Sequence, residues 1–260
     1  MRWRIVRADP AGNITLFVLD PVPREDRALL AARLMKQPQW GAEQVGFVCP
    51  PVMGGAGRLE MMGGEFCGNA ARAFGMMISQ EQGCVPRVTV EISGCSHPVA
   101  VEVDWQEQTA FAQMPLPRAI RPVTVCGIPC TLVEMEGISH VVAEDVAPDI
   151  TFFRQAEELF SGGTRPDAYG VIFVNRAEGR MTPIVRVFST DTTVWEGSCG
   201  SGTLAAAAAL SRSESEGTFC CTLVQPAGTL TAEVTRREGR IVAASLGGSV
   251  MLSAPEEFSE

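Results

Sequence analysis

Lysine and histidine are scarce in this chain, and their scarcity excludes several kinds of chemistry. Of the 21 basic residues all but Lys36 are arginine, and the only histidines are His97 and His140. Enzymes that use pyridoxal phosphate hold it as a Schiff base to a lysine. Lys36 ends an amphipathic segment just before Pro38, where we expect it to be solvated. We therefore expect no pyridoxal phosphate, no metal site rich in histidine and no other cofactor.

Long apolar runs, basic clusters and nucleotide-binding loops are missing too. No apolar run approaches the roughly 20 residues that span a bilayer, and residues 1–7 alternate like a strand rather than forming an apolar signal segment. The formal net charge of −9 disfavours nucleic acids and anionic membranes as partners. Neither a Walker loop nor a glycine-rich dinucleotide loop is present. We expect a cytoplasmic protein that binds a small molecule.

Cysteine is plentiful, with nine residues in the chain. Their number is odd and their spacing irregular, which argues against a disulfide framework. Cys126 and Cys130 are four residues apart, but no second pair of ligands completes a zinc site. We therefore expect most of these thiols to be small buried apolar residues, with no role in metal binding.

Strand-like alternation dominates the chain and predicts an α+β protein with two halves of similar plan. Helices are predicted at 24–36 and 67–82 in the first half, and at about 153–160 and 199–211 in the second. The predicted strands are 4–6, 14–19, 44–48, 88–92, 99–103, 110–114, 123–125, 132–134, 140–142, 171–174 and 184–188, and further strands are predicted after the helix at 199–211.

The two main helices open in the same way. One begins Gly64-Glu-Phe-Cys67-Gly-Asn-Ala-Ala and the other Glu196-Gly-Ser-Cys199-Gly-Ser-Gly-Thr. The cysteines are 199 − 67 = 132 residues apart, about half of the chain. In each case a glycine and then an asparagine or serine follow, and an alanine-rich helix begins. This repetition predicts two similar domains that face each other, with the two sulfurs close together across a cleft.

Two thiols at helix N-termini are suited to moving a proton on and off a carbon. Free backbone N–H groups and the positive end of the helix dipole favour the thiolate, so we expect the pKa of Cys67 and Cys199 to be lowered. Inversion of a stereocentre needs a base on one face of the carbon and an acid on the other, and a thiolate with a thiol supplies both. The same N-termini offer N–H donors to a carboxylate. Cys67 and Cys199 are therefore the candidate catalytic residues of a racemase.

Other functions for the cysteines fit the sequence less well. A redox dithiol usually has Cys-x-x-Cys spacing, which is missing here. A cysteine hydrolase needs a histidine partner, and His97 and His140 are the only candidates. A non-catalytic protein that binds an amino acid has no need of two matched thiols.

Five motifs, in this order along the chain, resemble those of the diaminopimelate epimerase superfamily of cofactor-independent racemases. They are Asp9-Pro-Ala-Gly-Asn13, Gly41-Ala-Glu-Gln44, Cys67-Gly-Asn-Ala70, Cys199-Gly-Ser-Gly-Thr203 and Gln225-Pro-Ala-Gly228. The resemblance runs over essentially the whole chain. It implies two pseudo-symmetric α+β domains, each with a sheet wrapped around a central helix, and with the last strands returning to the first domain. The implied bounds are 1–115 plus 246–260 for the domain of Cys67, and 116–245 for the domain of Cys199.

The resemblance also implies which residues bind the substrate. The expected set is Asn13, Glu43, Gln44, Gly68, Asn69, Gly200 and Ser201. We expect an amino acid as the substrate and a homodimer as the assembly.

The departures from the superfamily pattern bear on the substrate. Diaminopimelate epimerases carry Glu-Arg a few residues before the second cysteine, and that arginine binds the distal carboxylate. Here no arginine follows Arg186 in that stretch, and a distal carboxylate would meet Asp191 or Glu196. Such an encounter of like charges is unfavourable.

A closer resemblance is to the histidine racemases that supply D-histidine for staphylopine-type metallophores. It rests on segments 43–47, 65–70, 90–96 and 195–203. An acidic residue such as Glu43 is suited to an imidazole N–H. Two alternatives stay open: a diaminopimelate epimerase with an altered distal site, and a tricarboxylate isomerase of related fold.

Overall fold

The computed structural model describes residues 1–162 and 165–259 of the chain. The protein is of mixed α and β structure and is dominated by strands. It divides into two compact units, Met1–Gln113 with Leu246–Glu260, and Met114–Ser245. Within the described ranges, no helix is long and apolar enough to cross a membrane.

The first unit surrounds one buried helix with strands. The helix, α2 (Gly68–Glu81), has every residue from Gly68 to Ser79 buried. It packs against β5, β6 and β7 and also contacts β1 and β17. The strands of this unit are β1 (Arg2–Asp9), β2 (Thr15–Val18), β3 (Gln44–Cys49), β4 (Arg58–Met61), β5 (Arg87–Ile92), β6 (Val99–Asp104), β7 (Thr109–Gln113), β17 (Met251–Leu252) and β18 (Glu256–Ser259).

The first unit contains both parallel and antiparallel strand pairs. β1 is antiparallel to β2, β17 and β18, while β2 is parallel to β3 and β4 is parallel to β5. The pairs β3–β4, β5–β6 and β6–β7 are antiparallel. A second helix, α1 (Arg24–Met35), buries Leu30, Ala31 and Leu34 and packs on β3. The predicted helix at 24–36 is therefore present.

The second unit repeats the plan of strands around a buried helix. Its helix, α4 (Gly200–Leu210), is buried from Gly202 to Ala209 and contacts β9, β10, β11, β14 and β15. A shorter helix is α3 (Ile150–Ala156), which a 3-10 turn (Glu157–Phe160) continues. The strands are β8 (Ala119–Val125), β9 (Ile128–Glu134), β10 (Ile138–Glu144), β11 (Ala168–Asn175), β12 (Arg180–Val187), β13 (Thr192–Trp195), β14 (Gly217–Val224), β15 (Thr229–Arg237) and β16 (Arg240–Ser249), of which the last continues into the first unit.

Small residues let the strands approach both buried helices. A helix that is apolar on all sides must be covered on all sides, and close approach then limits the size of its side chains. A Cβ added at Gly75 of α2 would lie 2.6 Å from three side-chain carbons of Val101 in β6. A Cβ added at Gly202 of α4 would lie 2.6 Å from Ile172 Cδ1 in β11. The packing therefore holds the N-terminus of each helix, and the cysteine before it, in place.

Candidate active site

Cys67 is the N-cap residue of α2. Its backbone is extended, with φ −123° and ψ 112°, and its sulfur accepts a hydrogen bond from the backbone N–H of Ala70 at 3.4 Å. Its carbonyl accepts from the N–H of Ala71, which begins the helical ladder. An N-cap side chain commonly satisfies one of the first N–H groups of a helix. Here the capping atom is the candidate catalytic sulfur, so the cap fixes its position.

A network of side-chain amides joins this sulfur to residues from the β1–β2 connection and β3. Gln44 Nε2 donates to Cys67 Sγ at 3.3 Å and to Asn13 Oδ1 at 2.6 Å. Asn13 Nδ2 donates to Glu43 Oε2 at 2.6 Å, and Asn69 Nδ2 donates to Asn13 Oδ1 at 3.3 Å. The fold therefore brings the four side chains expected to bind substrate in this unit together with the thiol. The fifth expected residue, Gly68, is the first residue of α2.

Glu43 is the acidic member of this network and remains accessible to solvent. Partial burial of its carboxylate raises its pKa, the hydrogen bond from Asn13 opposes that rise, and the charge of Asp9 adds to it. The carboxylate is thus held by one amide, and it is free to accept a further N–H donor.

Arg72 lies one turn into α2 and is fully buried. Its Nε donates to Asn69 Oδ1 at 3.2 Å, and its Nη1 donates to the carbonyls of Gly248 and Ser249 at 2.9 and 2.8 Å. Its Nη2 is buried and has no hydrogen-bond partner among the described residues. Burial lowers the pKa of Arg72 to about 9, while Cys67 and Asp9 act to raise it. Arg72 was not predicted from the sequence as a site residue, although an arginine inside an apolar helix is an unusual feature that could have indicated it.

Cys199 occupies the corresponding position before α4. Its backbone is extended, with φ −120° and ψ 106°, and the residue is 5% exposed. Its N–H donates to Gln225 Oε1 at 2.7 Å, and its carbonyl accepts from the Thr203 hydroxyl at 2.7 Å. Gln225 Nε2 donates in turn to Thr203 Oγ1 at 2.9 Å. The motif at 225–228 therefore secures the backbone of the second cysteine.

Ser201 connects the second thiol to a histidine. Its Oγ lies 3.6 Å from Cys199 Sγ and 2.9 Å from His140 Nε2. His140 is fully buried, and burial lowers its pKa to about 3, so the ring is neutral. A Cβ at Gly170 would lie 2.6 Å from His140 Nδ1, which explains the glycine there. From the sequence, His140 was considered only as a possible partner of a hydrolase cysteine, and its contact with Ser201 was not predicted. Gly200, also expected in the site, is the first residue of α4.

The expectation that both thiols have a lowered pKa is wrong for the protein alone. Loss of hydration at the half-buried Cys67 raises the pKa of its thiol, against the opposing hydrogen bonds of Ala70 and Gln44. Burial raises the pKa of Cys199 well above its ordinary value, and the charge and a hydrogen bond of Glu196 raise it further. Loss of hydration of a thiolate outweighs the helix N-terminus at both positions.

The expectation that most cysteines are buried is also wrong. All nine are free thiols. Cys130, Cys199 and Cys221 are buried, Cys49, Cys67 and Cys95 are half-buried, and the other three are exposed. Lys36 is exposed at the end of α1, and His97 is exposed in a bend. Among residues 1–162 and 165–259, no group of three or more histidine, cysteine, aspartate and glutamate side chains is placed to hold a metal ion.

The chain is similar in sequence to known histidine racemases. The family model described as "Histidine racemase CntK N-terminal domain" matches residues 3–257. A histidine racemase of Fusobacterium nucleatum is 30% identical over 212 residues, which cover 77% of this chain and 77% of the relative.

Two solved structures show the same fold at low sequence identity. A predicted epimerase from Pseudomonas aeruginosa superimposes with a TM-score of 0.66 at 13% identity, covering 98% of this chain and 99% of that one. A hydroxyproline epimerase from Agrobacterium vitis superimposes with a TM-score of 0.61 at 11% identity, covering 98% and 92%.

Proposed function

This chain belongs to the histidine racemase CntK N-terminal domain family, and from that premise we propose that it racemises histidine with Cys67 and Cys199 as its base and acid. The chain is an isomerase of the racemase and epimerase type. The observation that carries the assignment of the two residues is that each cysteine immediately precedes a buried helix, one in each unit.

The reaction moves one proton off Cα and another onto it. A thiolate removes the α-proton from one face, and the electron pair passes into the carboxylate as the carbanion forms. A thiol on the opposite face then donates its proton to Cα, so the product has inverted handedness. The first sulfur now carries the proton and the second carries the charge. Substrate of the other hand uses the two cysteines in reversed roles.

The first turns of α2 and α4 supply donors for the developing negative charge. The first N–H groups of a helix have no carbonyl partner within it, and they attract anions. Gly68 and Asn69 in one unit, and Gly200 and Ser201 in the other, carry such N–H groups. We assign them to the α-carboxylate, whose charge increases in the transition state. The amides of Asn13 and Gln44 orient the substrate beside Cys67.

Glu43 selects the side chain of the substrate. Its carboxylate accepts one hydrogen bond, from Asn13, and has capacity for an imidazole N–H. Arg186, the last arginine before Cys199, is engaged by Glu157 and Asp191, each at 2.7 Å, and so is not available to a distal carboxylate. Histidine is therefore a suitable substrate and diaminopimelate an unsuitable one.

For the finer fold we propose the diaminopimelate epimerase-like arrangement of two similar domains, 1–115 plus 246–260 and 116–245. The burial of α2 and α4 among strands supports it. The homodimer and the cytoplasmic location stay predictions from the sequence.

The experiment is a screen for proton exchange at Cα. The purified protein, with no added cofactor, is incubated in D2O with each enantiomer of histidine, alanine, glutamate and diaminopimelate, and deuterium at Cα is followed by proton NMR. We expect exchange and racemisation of histidine and little of either with diaminopimelate. Efficient turnover of diaminopimelate overturns the substrate assignment but leaves the two-thiol mechanism standing. Exchange with none of these amino acids overturns the proposed function.

A further inference from the structure

A buried histidine and a serine hydroxyl form a chain of contacts that ends at the sulfur of Cys199. We propose that this chain is a relay with one direction, in which His140 Nε2–H donates to Ser201 Oγ and the Ser201 hydroxyl donates to Cys199 Sγ. The relay gives the second thiol a hydrogen-bond donor for the half of the reaction in which it is the base. The inference rests on the proposed function for its role in catalysis, but the direction of the hydrogen bonds is a property of the free protein.

The two contacts of Ser201 are both within hydrogen-bond distance. Its Oγ lies 2.9 Å from His140 Nε2 and 3.6 Å from Cys199 Sγ. A neutral imidazole donates from one ring nitrogen and accepts at the other, while a hydroxyl or a thiol can do either. The direction of the relay therefore depends on which ring nitrogen of His140 carries the proton.

The surroundings of His140 Nδ1 indicate that the proton is on the other nitrogen. His140 lies in β10, is fully buried and pairs with Gly170 of β11. The backbone of Gly170 packs against the ring, since a Cβ there would lie only 2.6 Å from Nδ1. Among residues 1–162 and 165–259, Nδ1 has no hydrogen-bond partner. A buried N–H without an acceptor is rare and costly, so we place the proton on Nε2, where Ser201 Oγ accepts it.

The protonation of the ring does not alter this direction. Burial lowers the pKa of His140 to about 3, so the ring carries one proton near neutral pH. A doubly protonated ring would also donate from Nε2, so only a proton on Nδ1 alone reverses the first bond. With its oxygen accepting from His140, Ser201 still has its own hydroxyl proton to donate. Cys199 Sγ is the acceptor that this hydroxyl contacts.

A donor at the sulfur stabilises the charge that Cys199 carries when it acts as the base. Hydrogen bonds to an ionised acceptor are stronger than neutral ones, and successive bonds in a buried chain polarise one another. The Cys199 sulfur is partly charged in the transition state of its own proton transfer, but it is a neutral thiol during the transfer at Cys67. The relay therefore accelerates only the transfer at Cys199. His140 is a positioning residue, because it acts through Ser201.

The direction of the first hydrogen bond is tested by NMR of the full chain without substrate. The protein contains only two histidines, His97 and His140, so labelling with 15N-histidine gives the spectrum of two rings. The variant His97→Gln assigns them. Long-range correlations between ring protons and nitrogens show which nitrogen is protonated. We expect His140 to carry its proton on Nε2 near neutral pH, and a proton on Nδ1 alone overturns the proposal.

Variants of Ser201 test the second hydrogen bond. Ser201→Ala should lower kcat/KM for histidine about tenfold, equally for the two enantiomers because they have the same free energy. Ser201→Thr keeps the hydroxyl and should retain most of the activity. The matched control is Ser211→Ala, which removes a buried hydroxyl from the other end of α4. A loss in Ser201→Ala no larger than in Ser211→Ala overturns the relay.

Isotope effects show whether the loss belongs to one proton transfer. Histidine deuterated at Cα reports proton removal by one cysteine in the L enantiomer and by the other in the D enantiomer. In Ser201→Ala the transfer at Cys199 should limit the rate, so the isotope effect on kcat/KM should be large for one enantiomer and small for the other. Equal isotope effects in this variant mean that the hydroxyl serves both transfers, for example through the substrate carboxylate, and overturn the relay.

A double-mutant cycle tests whether His140 acts through the hydroxyl. His140→Leu should lower kcat/KM in the wild-type background and have little further effect in Ser201→Ala. The same loss in both backgrounds would mean that the histidine acts on its own or only supports the fold, and it overturns the relay.

The outcomes also distinguish this inference from the proposed function. An Nε2 proton on His140 in a protein that exchanges no amino acid would leave the first hydrogen bond standing without the racemase. An Nδ1 proton in an active histidine racemase would do the opposite.

Discussion

In the proposed mechanism, Gln44 orients the substrate beside the thiol of the first unit. Its single amide nitrogen serves Cys67 Sγ, Asn13 Oδ1 and Thr15 Oγ1. Gln44→Leu removes this donor group at similar side-chain volume. A hydrogen bond to a charged group is worth about 1.5–3 kcal/mol, so kcat/KM for histidine should fall about 10- to 100-fold in steady-state assays. The exposed Gln39→Leu is the control, and a loss in Gln44→Leu no larger than in Gln39→Leu would remove Gln44 from the site.

Glu43 decides the substrate in the proposed function. Glu43→Gln keeps the shape of the side chain and loses its charge, so it should reduce kcat/KM for histidine about 10-fold more than for alanine. The amide oxygen of the new glutamine can still accept the hydrogen bond from Asn13, so the hydrogen bonds around Cys67 should be kept. The two substrates are assayed with the same preparation. Equal losses of kcat/KM for the two substrates would show that Glu43 stabilises the loop or binds the α-amino group and does not recognise the imidazole.

The raised pKa values of the thiols predict an alkaline activity profile. Activity needs one thiolate and one thiol, and both groups are protonated at low pH. Since burial raises the pKa of each, kcat/KM should increase with pH through and beyond about 8.5, the ordinary pKa of cysteine. It should fall again when the second thiol ionises. Racemisation rates from pH 6 to 11, corrected for titration of the substrate, check this. A plateau reached by pH 7 would mean that the thiols are more acidic than the fold indicates.

At the scale of secondary-structure elements, the packing of α2 against β6 depends on Gly75. Gly75→Ala should gain helix propensity of up to about 1 kcal/mol, but its Cβ would lie 2.6 Å from Val101 carbons. Overpacking of a core costs about 1–3 kcal/mol, so we expect a net loss of free energy of unfolding in urea titrations. Adding Val101→Ala removes two of these three carbons but keeps the Cβ at 2.6 Å, so it should relieve only part of the clash. A stabilised Gly75→Ala single variant would show that the strand moves away freely.

The helices were easier to predict from the sequence than the irregular strands. The predicted helices near 67–82 and 199–211 correspond to α2 and α4, because alanine-rich runs after a capping residue are a strong local signal. The predicted helix at 153–160 is an α-helix from Ile150 that turns to 3-10 geometry at Glu157. β4 and β13 were missed. β4 reads Arg-Leu-Glu-Met, which suits a helix, and β13 is exposed throughout and shows no alternation of burial.

The candidate site residues that lie in short sequence motifs were predictable, whereas contacts between residues far apart in the chain were not. The amides at 13, 44 and 69 were named from short motifs, and the fold brings them to Cys67. Arg72 binds carbonyls 176 and 177 residues away in the chain, and His140 reaches Ser201 across 61 residues. No local pattern reports such contacts. The thiol pKa values were mispredicted because the depth of burial is a tertiary property that a helix N-terminus does not reveal.

At the scale of the whole molecule, the mechanism requires both sulfurs to reach one carbon from opposite faces. Two thiols that meet this requirement should be joined by mild oxidation. We expect diamide or copper phenanthroline treatment to produce a Cys67–Cys199 disulfide, seen by peptide mapping, with loss of activity that dithiothreitol restores. Cys67→Ser is the control, and in it Cys199 should stay unlinked to the seven other cysteines that remain. Oxidation that inactivates without forming this disulfide would point to a different use of the two thiols.

The most direct test of the two-thiol mechanism is the isotopic outcome of one passage through the enzyme. L-Histidine is racemised in D2O at low conversion, the enantiomers are separated, and deuterium at Cα is measured in each. The two-thiol mechanism predicts deuterium in the product and protium in the recovered substrate, because different groups remove and return the proton. It also predicts that Cys67→Ser and Cys199→Ser each lose racemisation at least about a hundredfold, while Cys221→Ser does not. Deuterium entering substrate and product equally in the wild type, or racemisation that survives in either serine variant, would contradict it.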